Sequence, residues 1–272
     1  MGHLQTALAG VLSDEEIEML PRGFERVGHV AILSLPLGLQ KKSQTIASEL
    51  LKIKGVETVA LRTGPIEGRK REPGLQVIAG KPSTETTHKE NGCLFRLDVS
   101  KTMFSTGNVH ERQRLPKLVE PGETVVDLFS GVGQFSIPIA KHAEPAEVYA
   151  TEVNPVAHRY LCENVRINRV GHIVVPILGD CEKVAPRGVA DRVVMGLIHV
   201  THLYLPLALQ VLKPEGGIIH YHETVPCMLG FERPVSRIIH VAGERDVEIL
   251  EKRVIKRYCP GVDHVVIDAR VR

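Results

Sequence analysis

The stretch Thr124-Val125-Val126-Asp127-Leu128-Phe129-Ser130-Gly131-Val132-Gly133-Gln134-Phe135 constrains the fold of this chain more than any other. Strand-favouring residues end in a carboxylate, a small-residue turn comes after them, and the apolar run from Phe135 to His142 reads as a helix. Gly131 and Gly133 carry no Cβ, so the turn can bend sharply and let a ligand approach the main chain. Asp127 falls at the carboxyl end of its strand, where open α/β sheets place their ligands. The pattern D-x-F-x-G-x-G lacks the third glycine of the dinucleotide fingerprint, which weakens a nicotinamide reading.

The next stretch of chain repeats the arrangement. Glu147–Glu152 is a second strand ending in a carboxylate, 25 residues after Asp127, and the two oxygens of Glu152 can accept both hydroxyls of a ribose. Asn154 can cap the next helix, and Pro155 suits its first position. A third strand, Ile173–Leu178, ends in Gly179-Asp180, an acceptor within reach of an adenine amine. A fourth strand (Ala190–Met195), a helix (Thr201–Leu212) and a fifth strand (Gly217–Tyr221) come next. A long hairpin, Asp246–Arg257 with Val262–Val271, then closes the sheet. The expected fold is α/β: a class I methyltransferase-like (Rossmann-like) doubly wound sheet of seven strands.

Ahead of this lies a smaller region. Ser13 followed by Asp14, Glu15 and Glu16 marks a helix start in the first 26 residues. Strands are expected at His29–Leu33, Thr58–Leu61, Leu75–Ala79 and Cys93–Val99, a helix at Ser43–Ile53, and a loop from Arg62 to Gly74. This gives an N-terminal arm and small α+β domain over 1–104, with the catalytic domain over 105–272. Arg69-Lys70-Arg71 in the loop is either solvated surface or a phosphate contact. Ser105 or Thr106 starts a helix that carries His110, Arg112 and Arg114 and leads into the organising strand.

With 34 Lys+Arg against 32 Asp+Glu, any basic surface must be local. Five scattered cysteines without a C-x-x-C pair imply neither zinc nor a disulfide framework. No leader pattern and no apolar run of membrane-spanning length is present, so a soluble, cytoplasmic protein with no membrane partner is expected. His199 with His202, and His220 with His222, lack a completing acid or thiol, so structural or substrate-contacting roles are expected and no metal.

These motifs resemble those of the archaeal tRNA wybutosine-synthesising aminocarboxypropyltransferases, relatives of the tRNA guanine methyltransferases acting at the same nucleotide. The resemblance rests on F-S-T-G-N-V-H-E-R from Phe104, D-L-F-S-G-V-G from Asp127, T-E-V-N-P from Thr151 and G-D from Gly179. D-R-V-V-M-G from Asp191, I-H-Y-H-E-T-V-P from Ile219 and K-R-Y-C-P-G-V-D-H-V-V from Lys256 add to it. It implies S-adenosylmethionine as co-substrate, with Glu152 on the ribose, Asp180 on the adenine, and Ser105 and Arg112 at the methionine end. Asp127, Phe129, Gly131, Gly133, Asn154 and Gly179 complete the expected cofactor site. It further implies transfer of the aminocarboxypropyl chain to 4-demethylwyosine, 3′ of the anticodon in phenylalanine tRNA. Arg114, His220 and His222 are the expected substrate contacts, and His222 and His110 are candidates for the base. In the methyltransferases the fourth strand ends in Asn-Pro; here the segment is Met195-Gly196-Leu197-Ile198. The methyltransferases' additional N-terminal tRNA-binding domain is expected to be absent. Methyl transfer to tRNA guanine and a non-catalytic adenosine-binding RNA module are the alternatives.

Overall fold

The structure, a computed structural model, describes residues 3–272. The chain divides into a first unit ending at Thr106 and a second spanning Gly107 to Arg272.

In the first unit, helix α1 (His3–Leu8) and helix α2 (Asp14–Met19) precede a four-stranded sheet. Ser13 caps α2 through a reciprocal pair: its hydroxyl accepts the Glu16 amide at 3.3 Å while the Glu16 carboxylate accepts the Ser13 amide at 3.0 Å. The sheet runs β1 (Glu25–Val27), β2 (Val30–Leu33), β3 (Thr58–Glu67), β4 (Glu72–Gly80), with helix α3 (Ser43–Leu50) crossing from β2 to its parallel neighbour β3. Leu4, Leu8, Ile46, Leu50 and Val59 form its core. A separate ribbon, β5 (Glu85–Glu90) with β6 (Cys93–Asp98), comes next.

The segment Arg62–Gly74, expected as a loop, is instead the distal half of the β3–β4 hairpin. Ile66 pairs with Pro73 and Glu67 with Glu72 beyond a register shift after Arg62. Its prolines point towards a loop, yet Pro65 sits within the irregularity and Pro73 on the edge strand, where a missing N–H costs little. Arg69-Lys70-Arg71 therefore rides a tight turn, with Arg71 at φ +55°.

The second unit holds helix α4 (Val109–Arg114), then β7 (Thr124–Asp127), α5 (Ser136–His142), β8 (Glu147–Glu152), α6 (Pro155–Ile167), β9 (Val174–Leu178) and α7 (Cys181–Val184). It continues with β10 (Arg192–Met195), α8 (Leu205–Val211), β11 (Gly217–Pro226), α9 (Glu232–Ala242), β12 (Val247–Cys259) and β13 (Val262–Val271). The seven strands lie in the order β12-β13-β11-β10-β7-β8-β9. β11, β10, β7, β8 and β9 run parallel to one another, β13 lies antiparallel beside β11, and β12 lies antiparallel beside β13 at the edge. This is the doubly wound sheet expected. β11 extends past Tyr221, because polar His222, Glu223 and Thr224 are buried yet bonded within the sheet's surroundings. Helix α9 lies outside the expected elements, although Pro234, Ile238 and Ala242 recur at helical spacing and are all buried.

Candidate active site

The glycine loop is anchored to the strand beside it before any ligand arrives. Ser130 donates its hydroxyl and its amide to the Thr151 carbonyl, at 2.9 and 3.0 Å. Thr151 donates back to the Leu128 carbonyl at 2.9 Å. Gly131 has φ +57° and donates its amide to Glu152 Oε2 at 2.8 Å, while Asn154 donates its amide to Glu152 Oε1 at 2.7 Å. A carboxylate has about four acceptor positions, more than these amides take up, so Glu152 can still accept an incoming hydroxyl. Burial raises the Glu152 carboxyl above its ordinary range, against the amides that stabilise its charge.

Gly131 and Gly133 do different work. A Cβ on Gly131 would meet nothing closer than Gln134 Nε2 at 3.5 Å, so its open side is available to a ligand. A Cβ on Gly133 would lie 2.6 Å from Ile137 Cγ1 and 3.0 Å from Leu161 Cδ1. Gly133 thus serves the packing of the loop on α5 and α6 rather than ligand approach. Asp127 also departs from a direct cofactor contact. It is fully buried, and its oxygens accept the Ser136 hydroxyl at 2.7 Å and the Phe129 amide at 3.2 Å. Burial pushes its carboxyl up to about 6. Its role is to brace the turn.

Around this loop the structure gathers several of the residues expected. Asn154 caps α6 through Val156 N at 2.9 Å, with Pro155 in the first turn. Gly179 donates its amide to the Glu152 carbonyl at 2.9 Å, so Gly179-Asp180 lies close to the end of β8. Asp180 is half-buried and accepts the Glu182 amide at 3.2 Å. Phe129 is half-buried and packs edge-on against Tyr204, centroids 5.0 Å apart. Arg112 is 1% exposed and donates to Gln134 Oε1 at 3.4 Å, which ties α4 to the end of the glycine loop. Gln134, the partner of Arg112 here, is a residue that sequence reasoning misses; its place directly after Gly133 is the available signal. Ser105 belongs to the first unit, just before its end.

Three of the expected substrate contacts are corrected. Arg114 is held by carboxylates on three sides: Glu111 by a two-point fork at 3.0 and 2.6 Å, Asp268 at 2.7 Å and Glu251 at 2.8 Å. It has no spare fork for RNA phosphate. His220 is fully buried between Asp268 Oδ1, 2.6 Å from Nδ1, and Arg192 Nη1, 2.8 Å from Nε2. A guanidinium only donates, so Nε2 accepts and the Nδ1 proton goes to Asp268. His222 is also fully buried, its Nδ1 3.0 Å from His264 Nε2. Burial, then the neighbouring His220, pushes the His222 imidazole down to about 3. His110 is exposed on α4. Among the described residues no three His, Cys, Asp or Glu side chains come together as metal ligands.

At the end of β10, Gly196 borders Phe135. A Cβ there would stand 2.8 Å from Phe135 Cε2 and 3.1 Å from Cδ2. Phe135 is 5% exposed and rests on His222, ring centroids 5.5 Å apart. The ring occupies the space that a side chain at position 196 would need.

A doubly wound sheet with a glycine loop after its first parallel strand and a ribose-type carboxylate after the next defines a class I methyltransferase-like, nucleoside-binding domain. Residues 86–250 match the TRM5/TYW2 methyltransferase domain, and residues 4–84 match the TYW2 N-terminal domain. The chain belongs to the TRM5/TYW2 family. It is 43% identical over 249 residues to the tRNA(Phe) (4-demethylwyosine(37)-C(7)) aminocarboxypropyltransferase of Methanocaldococcus jannaschii, covering 91% of this chain and 97% of that relative. It is 39% identical to the tRNA (guanine(37)-N(1))-methyltransferase Trm5b of Pyrococcus abyssi, over 93% of this chain and 76% of the relative. The crystal structure of P. horikoshii TYW2 in complex with MeSAdo superposes with a TM-score of 0.84 at 37% identity, covering 98% and 97% of the two chains.

Proposed function

We propose that this chain is an S-adenosylmethionine-dependent transferase that moves the 3-amino-3-carboxypropyl group to 4-demethylwyosine, 3′ of the anticodon in phenylalanine tRNA. The observation that carries the reading is the Gly196–Phe135 contact. The methyltransferase branch is expected to address its guanine with an Asn at this strand end, and here an aromatic ring fills that place. The 43% identity to an aminocarboxypropyltransferase supports the same branch.

The residues fit the co-substrate. Glu152 offers its remaining acceptor capacity to the ribose hydroxyls, and the open side of Gly131 admits the nucleoside against the backbone. Asp180 lies at the next strand end for the adenine amine, and Arg112 takes the carboxylate of the amino acid chain. Bound S-adenosylmethionine supplies a sulfonium whose three carbons are all open to displacement. In the transfer the acceptor carbon bonds to the γ-carbon of the chain. The S–Cγ pair stays on sulfur, neutral methylthioadenosine leaves, and the acceptor carbon gives up its proton. Holding the chain for attack, rather than the less hindered methyl, is a positioning task for Arg112 and the loop, worth up to roughly 7–11 kcal/mol in favourable systems.

Incubation with tRNA carrying 4-demethylwyosine tests the reading. Methylthioadenosine is the expected by-product, and S-adenosylhomocysteine would install the methyltransferase reading instead. Binding of S-adenosylmethionine without turnover on competent tRNA would leave a non-catalytic RNA module.

Glu152→Ala should weaken S-adenosylmethionine about tenfold to a hundredfold, since a hydrogen bond to a charged group contributes about 1.5–3 kcal/mol. Calorimetric titration alongside a thermal melt separates lost affinity from lost folding. An unchanged affinity would remove Glu152 from the cofactor site.

A further inference from the structure

A second opening lies in the other half of the large sheet. The carboxylates of the glycine-loop side stand at the ends of β7 and β8 and after β9, whereas this cleft is formed by β11, the β12–β13 hairpin, α9 and His199 in the segment after β10. It has a volume of about 390 Å³ and is lined by His199, Thr224, Arg233, Arg237, Tyr258 and Cys259.

Its floor is charged. Glu223, 1% exposed, accepts Arg233 Nε at 2.9 Å, accepts Arg237 Nη1, and also takes the Tyr221 hydroxyl. Arg233 Nη2 donates to the Thr224 carbonyl. Two guanidiniums on one carboxylate leave one positive charge in excess. Arg233 Nη1 and Arg237 Nη2 have no acceptor among the described residues, and the two side chains are 34% and 31% exposed. One wall is aromatic. Tyr258 is 43% exposed, its hydroxyl 2.9 Å from His199 Nε2, and the two rings meet edge-on at 78° with centroids 4.9 Å apart. His199 Nδ1 in turn lies 3.2 Å from the Thr224 hydroxyl. His199 holds this place at φ +71°, a conformation that a non-glycine residue keeps only where its surroundings enforce it. A strained residue thus fixes an exposed aromatic ring beside two guanidiniums that still have hydrogens to donate.

We propose that this cleft is an acceptor-side RNA subsite, taking a phosphodiester of the tRNA loop on Arg233 and Arg237 and a neighbouring base on the face of Tyr258. Splayed, single-stranded nucleotides are held by this pairing of cationic fork and stacking ring, and the volume suits a nucleotide. A free anion would need no ring, and the strand order puts the cleft across the end of β10 from the cofactor carboxylates. The inference rests on the reading of tRNA as acceptor.

The test compares full-length Arg237→Gln, Arg237→Lys and Tyr258→Ala in filter binding to the tRNA across a salt series. Arg237→Gln should weaken binding about tenfold and flatten the slope of log affinity against log salt by about 0.7, the value for one phosphate on a single strand. Arg237→Lys, which keeps the charge, should restore the slope. Tyr258→Ala should weaken binding about tenfold at unchanged slope. S-adenosylmethionine affinity should stay within about twofold in all three, which also reports folding. Unchanged tRNA affinity in folded Arg237→Gln and Tyr258→Ala overturns the proposal. Inorganic phosphate bound by the unaltered chain but not by Arg237→Gln, with tRNA affinity unchanged, makes the cleft a free-anion site and overturns it equally. Methylthioadenosine release by the unaltered chain keeps the two readings apart. Its absence, with tRNA binding lost in the variants, would sink the assigned reaction and leave the subsite. Its presence, with tRNA binding unaffected, would sink the subsite alone.

Discussion

Arg112→Lys should transfer the aminocarboxypropyl chain to tRNA about tenfold to a hundredfold more slowly than the unaltered protein. Arg112 is buried beside the glycine loop and donates to Gln134, and on the proposed reading its planar fork takes the carboxylate of the amino acid chain. Lysine keeps the charge but offers a single point, so one charge-assisted bond is lost and the chain is no longer held in line with the acceptor. That bond contributes about 1.5–3 kcal/mol. Cofactor labelled in its carboxylate reports the chain, and cofactor labelled in its methyl group reports the competing displacement. Carboxylate label in tRNA should fall in the variant and methyl label should stay at background in both proteins. Undiminished carboxylate label would release Arg112 from the methionine end. Methyl label entering tRNA with the unaltered protein would overturn the transfer reaction itself.

The second large effect is a stability that falls in acid through His222 and His264. The two rings share one hydrogen bond inside the sheet, and their outer atoms, His222 Nε2 and His264 Nδ1, are buried without a hydrogen-bond partner. Burial is the first cause holding both imidazoles neutral, to about 3 at His222 and about 2 at His264. The unfolded chain binds those protons near pH 6.5, so between there and the folded values it holds more protons than the native state. Stability from this pair is therefore complete above about pH 6.5 and drains as pH falls. Each group contributes a slope of about 1.4 kcal/mol per pH unit. Asp127 acts oppositely: with its carboxyl near 6 in the fold, the native state binds the extra proton between about pH 6 and pH 4. The difference between proteins isolates the histidine. His222→Phe should be less steep than the unaltered chain by about 1.4 kcal/mol per unit between pH 6 and pH 4, in denaturant titrations at each pH. Parallel curves would mean that His222 already carries its proton in the native protein.

The parts of the fold that sequence conveyed are those fixed by local chemistry. Asn154-Pro155 could only start a helix, and Glu147–Glu152 could only end at its carboxylate; the structure has both at those residues. The hidden parts depend on partners distant in the chain. Arg114 looks like a free cation until Asp268 and Glu251, more than 130 positions away, come to its side. His220 looks like a substrate contact until Arg192 and Asp268 close on its two nitrogens. Asp127 and Glu152 have the same position in the motif, yet they differ in depth of burial and in partners: Asp127 is fully buried on the Ser136 hydroxyl, and Glu152 is held by backbone amides. Helix α9 is legible in principle through its buried positions, and with it the pair Arg233 and Arg237 one turn apart.

The crowding of Gly196 by Phe135 also bears on how one branch of such a family could give rise to the other. An asparagine entering at position 196 while the ring is in place meets carbon at 2.8 Å, so its benefit is masked by a steric penalty. Shrinking the ring first opens a gap beside His222 with nothing to fill it. Each substitution is harmful alone and tolerable only in the company of the other, a coupling of neighbours that does not sum. Passage between the two acceptor chemistries then requires a joint change or a third, permissive substitution. A gatekeeping pair of this kind slows the drift of a transferase from one base to another, even where the cofactor machinery is shared.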